Sequence, residues 1–277
     1  MSDIVSAEWL KDNLSKIRAV DASWYMPDDK RDTAKEFEEA GHIPGAVFFD
    51  IDGISDHGTP LPHMLPTDDQ FARRVGALGI GDGDMVVVYD SMGIFSAPRV
   101  WWMFKAFGHG QVAVLDGGLP AWKAIGGALE NGPAKPKPAH FTARAEKAII
   151  RDFQQVKSAL GQIQVLDARS APRFEGSEAE PRPGLKSGHM PGATNIPWRA
   201  VLTSDFKLKD DASLQRLLAE KGIDLRAPII TSCGSGISAA ILMLAVEKLG
   251  ARHVALYDGS WAEWGGRDDA PIATGTA

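Results

Sequence analysis

The sequence holds one cysteine in 277 residues, three tyrosines, fewer basic than acidic side chains (30 against 36) and no apolar run approaching the ~18 residues of a membrane span. Each shortage excludes something. A lone cysteine cannot form a disulfide within the chain, and in a reducing compartment it is either an inert core residue or a reactive thiol. A formal net charge of -6 leaves no global positive field to attract nucleic acid or an anionic membrane surface. An anionic substrate must therefore be met by locally placed arginines. The opening stretch MSDIVSAEWLKDNL lacks the basic, apolar and small-residue succession of a signal sequence, so a cytoplasmic protein is expected. Seven histidines and one cysteine without ligand spacing argue against a metal. The glycine-rich turns do not make a G-x-G-x-x-G dinucleotide fingerprint, and no cofactor is expected.

What the chain does contain is a repeat. Gly41-His42-Ile43-Pro44-Gly45-Ala46 is echoed by Gly188-His189-Met190-Pro191-Gly192-Ala193. Ala19-Val20-Asp21-Ala22 precedes the first copy and Val165-Leu166-Asp167-Ala168 the second, while Val114-Leu115-Asp116-Gly117-Gly118 with Trp122 answers Leu256-Tyr257-Asp258-Gly259-Ser260 with Trp264. An offset of roughly 140 residues suits two domains of ordinary size. His42 and His189 occur in both copies and are expected to position the Pro-Gly turn rather than to catalyse.

Within each copy, β-branched runs such as Met85-Val86-Val87-Val88-Tyr89 and Pro228-Ile229-Ile230-Thr231 alternate with helical patterns such as 239–249. That order predicts an α/β fold of two tandem domains, each a mostly parallel sheet flanked by helices, with a site at the carboxyl ends of the strands. The stretch 131–138 is proline-rich and almost without large apolar side chains, which marks an extended linker. The expected division is 1–130, a linker over 131–147, and 148–277.

Aligning Gly93 with Gly236 sets Asp90-Ser91-Met92-Gly93-Ile94 against Cys233-Gly234-Ser235-Gly236-Ile237. The same strand-loop-helix turn thus carries an aspartate in one copy and the cysteine in the other. Two glycines let the backbone curl, and a helix beginning near Ser238 turns its amino end inward. Several N–H groups then converge on the sulfur and favour an anion there, which makes Cys233 the candidate nucleophile. The alternative is a small buried hydrophobe at a strand end, a place that does not call for Gly-x-Gly immediately afterwards.

The two G-H-x-P-G-A segments, the loop Cys233-Gly234-Ser235-Gly236-Ile237-Ser238 and the closing Tyr257-Asp258-Gly259-Ser260-Trp261-Ala262-Glu263-Trp264 resemble the two-domain rhodanese family, and within it the 3-mercaptopyruvate sulfurtransferases. The resemblance covers nearly the whole chain. In that family the thiosulfate branch usually places basic residues after the cysteine, whereas the mercaptopyruvate branch has Gly-Ser-Gly, as at 234–236. Its usual ending, Val-Thr, is Ile237-Ser238 here. A neutral loop also suits a mercapto-carboxylate, whose charge lies several bonds from the reacting sulfur, better than dianionic thiosulfate.

The resemblance implies roles for other residues. Arg173 and Arg182 match positions that contact the substrate carboxylate, and a planar forked guanidinium is well suited to that task. The turn-rich stretch 52–66 has no equal in the second copy, and its His63-Met64-Leu65-Pro66 resembles a segment that reaches the site. By that resemblance Ser235, His63 and Asp52 form a hydroxyl, imidazole and carboxylate chain, while Gly234, Gly236, Ile237 and Ser238 line the substrate. A structural histidine fixing that loop is the alternative for His63. The implied reaction moves sulfur from 3-mercaptopyruvate through a Cys233 persulfide to cyanide or to a thiol such as thioredoxin or a small thiol, releasing pyruvate.

Thiosulfate sulfur transfer is the nearest rival, and a non-enzymatic sulfur carrier is a rival of another class. A cysteine phosphatase is disfavoured. It needs an arginine six positions after the cysteine, where this chain has Ala239, and a loop one residue longer.

Overall fold

The computed structural model describes residues 2–276. Two compact units emerge. The first takes the chain through Asp56, Leu65–Glu146 and the short segment Ser204–Leu208; the second takes His57–Met64, Lys147–Thr203 and the chain from Lys209 on. Each repeat therefore gives up one short segment to the other unit.

The first unit is built on strands β1 (Ile4–Val5), β2 (Arg18–Asp21), β3 (Val47–Phe48), β4 (Val86–Tyr89) and β5 (Val112–Leu115). The second has β6 (Ile150–Arg151), β7 (Gln164–Asp167), β8 (Thr194–Asn195), β9 (Ile229–Ser232) and β10 (Val254–Tyr257). Their orders are β1-β5-β4-β2-β3 and β6-β10-β9-β7-β8, the same order twice, and every pairing is parallel. The duplication in sequence is thus a duplication of topology, and the α/β class follows as expected.

Parallel strands covered on both faces should be apolar throughout rather than alternating. All four residues of β4, β5, β9 and β10 are buried. The helices that follow the central strands obey the same logic. In Ala97–Ala106 every residue but Lys105 is buried, and in Ala239–Lys248 the burial runs from Ala239 to Val246. Among the described residues no helix is both long and apolar enough to cross a membrane.

The stretch 133–146, which belongs to the first unit, has no regular structure. It is tied down by hydrogen bonds from Ala139 N–H to the Gly76 carbonyl and from Arg144 N–H to the Phe107 carbonyl. Phe141, 5% exposed, enters a ring cluster with Phe71 and Phe104.

The repeated hexapeptides have one structure. His42 stacks on Phe37 with ring centroids 3.8 Å apart, and its Nδ1 lies 2.8 Å from the Phe37 carbonyl oxygen. His189 does the same on Phe174, at 3.8 and 2.9 Å. Ala46 and Ala193 each donate to the carbonyl three residues back, closing the Pro-Gly turn around Gly45 and Gly192 at φ +74° and +77°. Each histidine also pairs by its backbone with a later residue of its own unit, His42 with Glu130 and His189 with Ala273. These histidines are scaffold, as their presence in both copies implied.

Truncating His189 should remove one buried hydrogen bond and one stacked ring pair. His189→Ala is expected to cost the second unit about 1–3 kcal/mol, read by denaturant unfolding with Trp261 and Trp264 fluorescence. A loss below ~0.5 kcal/mol, the range of an ordinary surface change, would reject the scaffold role.

Candidate active site

β9 lies between β10 and β7, with Thr231 opposite Leu256 and Ser232 opposite Asp167. Its chain emerges at Cys233 and enters the helix Ala239–Lys248 after Ser238. Residues 233–238 therefore occupy the carboxyl end of a central parallel strand, where strand-to-helix loops of such sheets converge. Gly236 adopts φ +80°, a left-handed conformation that glycine takes without steric cost. That turn sets its N–H 3.1 Å from Cys233 Sγ. Cys233 itself is 2% exposed, a thiol facing an amide inside the fold.

The backbone of the cysteine is held from the start of the helix Ser260–Trp264. Ser260 Oγ accepts the Cys233 N–H at 3.2 Å, the Trp261 N–H donates to the Cys233 carbonyl at 2.9 Å, and the Ala262 N–H donates to the Gly234 carbonyl at 2.8 Å. Ile237 is buried, and Ser238 stands before the helix with no side-chain cap bond.

Arg173, in the helix Ala171–Glu175, approaches the other side of the loop. A Cβ added to Gly234 would lie 3.1 Å from its Nη2. Arg173 donates through Nη2 and Nε to Glu180, at 2.5 and 3.3 Å, while its Nη1 makes no hydrogen bond among the described residues. Glu180 also accepts from Arg169 Nη1 at 2.8 Å. Arg169 is clasped by Asp167 through Nε and Nη2, donates to the Gly188 carbonyl, and lies 4.0 Å above the Trp261 ring. Burial works against its charge, but Asp167 and Glu180 outweigh burial and raise its pKa. Arg182, half-buried, follows Glu180 by two positions.

His63 reaches the same loop although 172 residues separate it from Ser235. Its Nδ1 lies 3.0 Å from Ser235 Oγ and 3.3 Å from the Ser235 carbonyl oxygen. The contact to the hydroxyl serves either tautomer of the ring, whereas the contact to the carbonyl calls for Nδ1–H. His63 belongs with the second unit, and Asp52 with the first. Asp52 is exposed and its Oδ2 accepts the Trp24 indole N–H at 2.9 Å.

The corresponding turn of the first unit is filled by a carboxylate. Asp90 Oδ1 accepts the N–H groups of Met92 and Gly93, and Oδ2 those of Phe95 and Ala97, all between 2.8 and 3.0 Å. Burial pushes its pKa up to about 6, against these four amides, which lower it. A loop of this sequence type thus gathers four donors around a negatively charged group.

Backbone strain concentrates at the two loops. Four described non-glycine residues have positive φ: Lys30, His63, Phe206 and Ser260. His63 and Ser260 touch the cysteine loop, and Phe206 lies against Gly93, where an added Cβ would come within 2.6 Å of the Phe206 Cβ. Strain of this kind persists where the surroundings over-determine it, commonly at functional sites. Sequence reasoning did not identify Ser260, Glu180 or Arg169 as part of the site. Serine in place of Gly118 at the matching position of the repeat was the available signal for the first. Among the described residues no group of three or more His, Cys, Asp or Glu side chains is placed to hold a metal.

Comparison with known proteins agrees with the duplication. A model of the rhodanese-like domain matches residues 6–125 and again 152–267. The rat protein named 3-mercaptopyruvate sulfurtransferase is 44% identical over 94% of this chain and 91% of its own. A chicken thiosulfate sulfurtransferase is 42% identical over 94% and 92%. The crystal structure of SseA from Escherichia coli, a 3-mercaptopyruvate sulfurtransferase, superposes with a TM-score of 0.86 at 38% identity, covering 94% of this chain and 99% of that one.

The Asp90 carboxyl gives a pH signature. Its folded pKa is raised above the unfolded value, so its stabilising contribution is full below the unfolded pKa near 3.8 and is lost as pH rises through about 6. The stability of the native chain relative to Asp90→Asn should therefore fall between these limits, by at most about 1.4 kcal/mol per pH unit. Urea unfolding of both proteins from pH 4 to 7 checks this; a difference independent of pH would reject it.

Proposed function

We propose, since the chain belongs to the rhodanese family as two tandem domains, that it is a sulfurtransferase taking sulfur from 3-mercaptopyruvate and passing it to a thiol or cyanide. One observation carries this: the sole thiol stands at the end of β9 with an amide 3.1 Å from its sulfur, in an uncharged Gly-Ser-Gly loop against which Arg173 is held.

In the first step the Cys233 thiolate attacks the donor sulfur. The S–S bond forms as the donor C–S bond breaks, and the electron pair leaves on the three-carbon fragment as the enolate of pyruvate. The donor thiol loses its proton and the enolate carbon gains one. The Ser235 hydroxyl and His63 imidazole, 3.0 Å apart, are the pair to carry that proton, with Asp52 as the proposed carboxylate of the relay. In the second step an acceptor thiolate, of a small thiol or a thioredoxin-like protein, attacks the outer sulfur of the persulfide and Cys233 leaves as thiolate. Cyanide would take the same sulfur to give thiocyanate. The Gly236 N–H is placed to stabilise anionic sulfur in both steps.

Arg173 and Arg182 bind the donor carboxylate. Glu180 occupies Nε and Nη2 of Arg173, which leaves Nη1 to meet an oxygen. A reducing, cytoplasmic setting suits a chain whose chemistry depends on one free thiol.

Pyruvate release from 3-mercaptopyruvate, with thiosulfate as the competing donor, tests the reading. The native protein should gain one sulfur at Cys233 by mass spectrometry and turn over 3-mercaptopyruvate with the higher kcat/KM, and Cys233→Ser should abolish both. Preference for thiosulfate would reassign the donor. Sulfur uptake without turnover would make the chain a carrier. Arg182→Ala is expected to raise KM about tenfold or more, the equivalent of ~1.4 kcal/mol of binding, with kcat little changed. His63→Ala should instead lower kcat and shift its pH profile, and undiminished turnover would remove the relay.

A further inference from the structure

We propose that Ser260 is a positioning residue for Cys233, its hydroxyl fixing the peptide that carries the nucleophile; this rests on the reading of Cys233 as the sulfur-accepting group. Ser260 is fully buried at φ +47°, where an L side chain is disfavoured. Its counterpart in the first unit is Gly118, at φ +53°. The glycine is obligatory there, since a Cβ would come within 2.3 Å of the Asp90 carbonyl oxygen and 2.5 Å of that of Gly93. The first unit thus makes this turn with glycine, without strain.

The unit that carries the thiol bears the strain, and what it gains is the hydroxyl. Ser260 Oγ donates to the Tyr257 carbonyl at 2.8 Å and accepts the Cys233 N–H at 3.2 Å. A carbonyl can only accept and an N–H can only donate, so both roles of the hydroxyl are fixed. The shared feature of the two units is the next bond: Leu119 N–H to the Asp90 carbonyl in one and Trp261 N–H to the Cys233 carbonyl in the other, both 2.9 Å. The Ser260 bond is added to this frame. With it, N–H and C=O of the Cys233 residue are both tied to the 260–262 turn. The sulfur is then presented to the Gly236 N–H from a fixed backbone.

The test uses the full chain with Ser260→Gly, which relieves the strained φ and deletes the hydroxyl, and Ser260→Ala, which deletes the hydroxyl alone. Iodoacetamide alkylation of Cys233 without donor, steady-state kinetics with 3-mercaptopyruvate and thermal unfolding are measured for each. Both variants are expected to lower kcat about tenfold or more with KM within about twofold, and to slow alkylation about fivefold or more. The Gly variant should unfold within about 4 °C of the native protein. Native kcat and alkylation in either folded variant would overturn the proposal, as would failure of both to fold, which would make the hydroxyl a fold element. If the native protein releases no pyruvate, the functional reading fails, while alkylation still decides the role of Ser260.

Discussion

A helix that begins directly after a strand leaves peptide N–H groups pointing into the bend, and those donors must find a partner. The rest of this protein is arranged around how that requirement is met twice. In the first unit the chain supplies its own anion: the Asp90 carboxylate takes four amides and closes the bend on itself. In the second unit the residue in that place is Cys233, whose sulfur meets the Gly236 N–H. A sulfur is larger than a carboxylate oxygen and has fewer acceptor directions, so the bend is less completely satisfied from within. An anion-stabilising turn that is not saturated by its own side chain is what a group-transfer site needs.

Around the cysteine, charge is buried in balance. Asp167 and Glu180 face Arg169 and Arg173 in one connected set, and three of the four side chains are at most 2% exposed. Such a set adds little to stability because desolvation offsets much of the attraction. Its value is positional. Arg169, fixed by Asp167 and the Trp261 face, anchors Glu180, and Glu180 in turn holds Arg173 against Gly234. Glycine at 234 is part of the same arrangement, since even a Cβ would stand 3.1 Å from the guanidinium. The lack of a side chain at 234 and the placement of the arginine are therefore linked.

Local signals made much of this legible. The β-branched runs became the buried central strands because a parallel sheet covered on both faces requires that composition. The doubled G-H-x-P-G-A became two matching turns, because a histidine stacked on Phe37 or Phe174 and a left-handed glycine after proline are local geometry. Cys233 at a strand end was readable from the Gly-x-Gly that follows it. What lies far apart along the chain was not. Spacing cannot show that His63 meets Ser235, and it was the resemblance to a family, not periodicity, that put them together. The partners of Arg173 and Arg169 were equally hidden, because an arginine in a polar loop looks the same whether it is solvated or clasped. Asp52 illustrates the reverse: its carboxylate accepts the Trp24 indole in the first unit, a partner no motif announced.

The repeat also explains why the hidden residues differ between the units. Scaffold positions could remain alike, because turn, stacked histidine and strand order serve both sheets equally. Positions at the bend differ together. Where Asp90 stands at the bend, the carbonyls of residues 90 and 93 lie against Gly118 and exclude a side chain. Where cysteine takes the aspartate's place, the matching position accommodates a buried serine whose hydroxyl reaches the Cys233 peptide. Aspartate with glycine and cysteine with serine are thus two self-consistent solutions of one backbone. A side chain at 118 would set a Cβ against two carbonyls, whereas loss of the hydroxyl at 260 would take the acceptor from the Cys233 N–H while relieving the strained φ. The division of labour between the units is therefore set by packing at the bend as much as by the presence of the thiol.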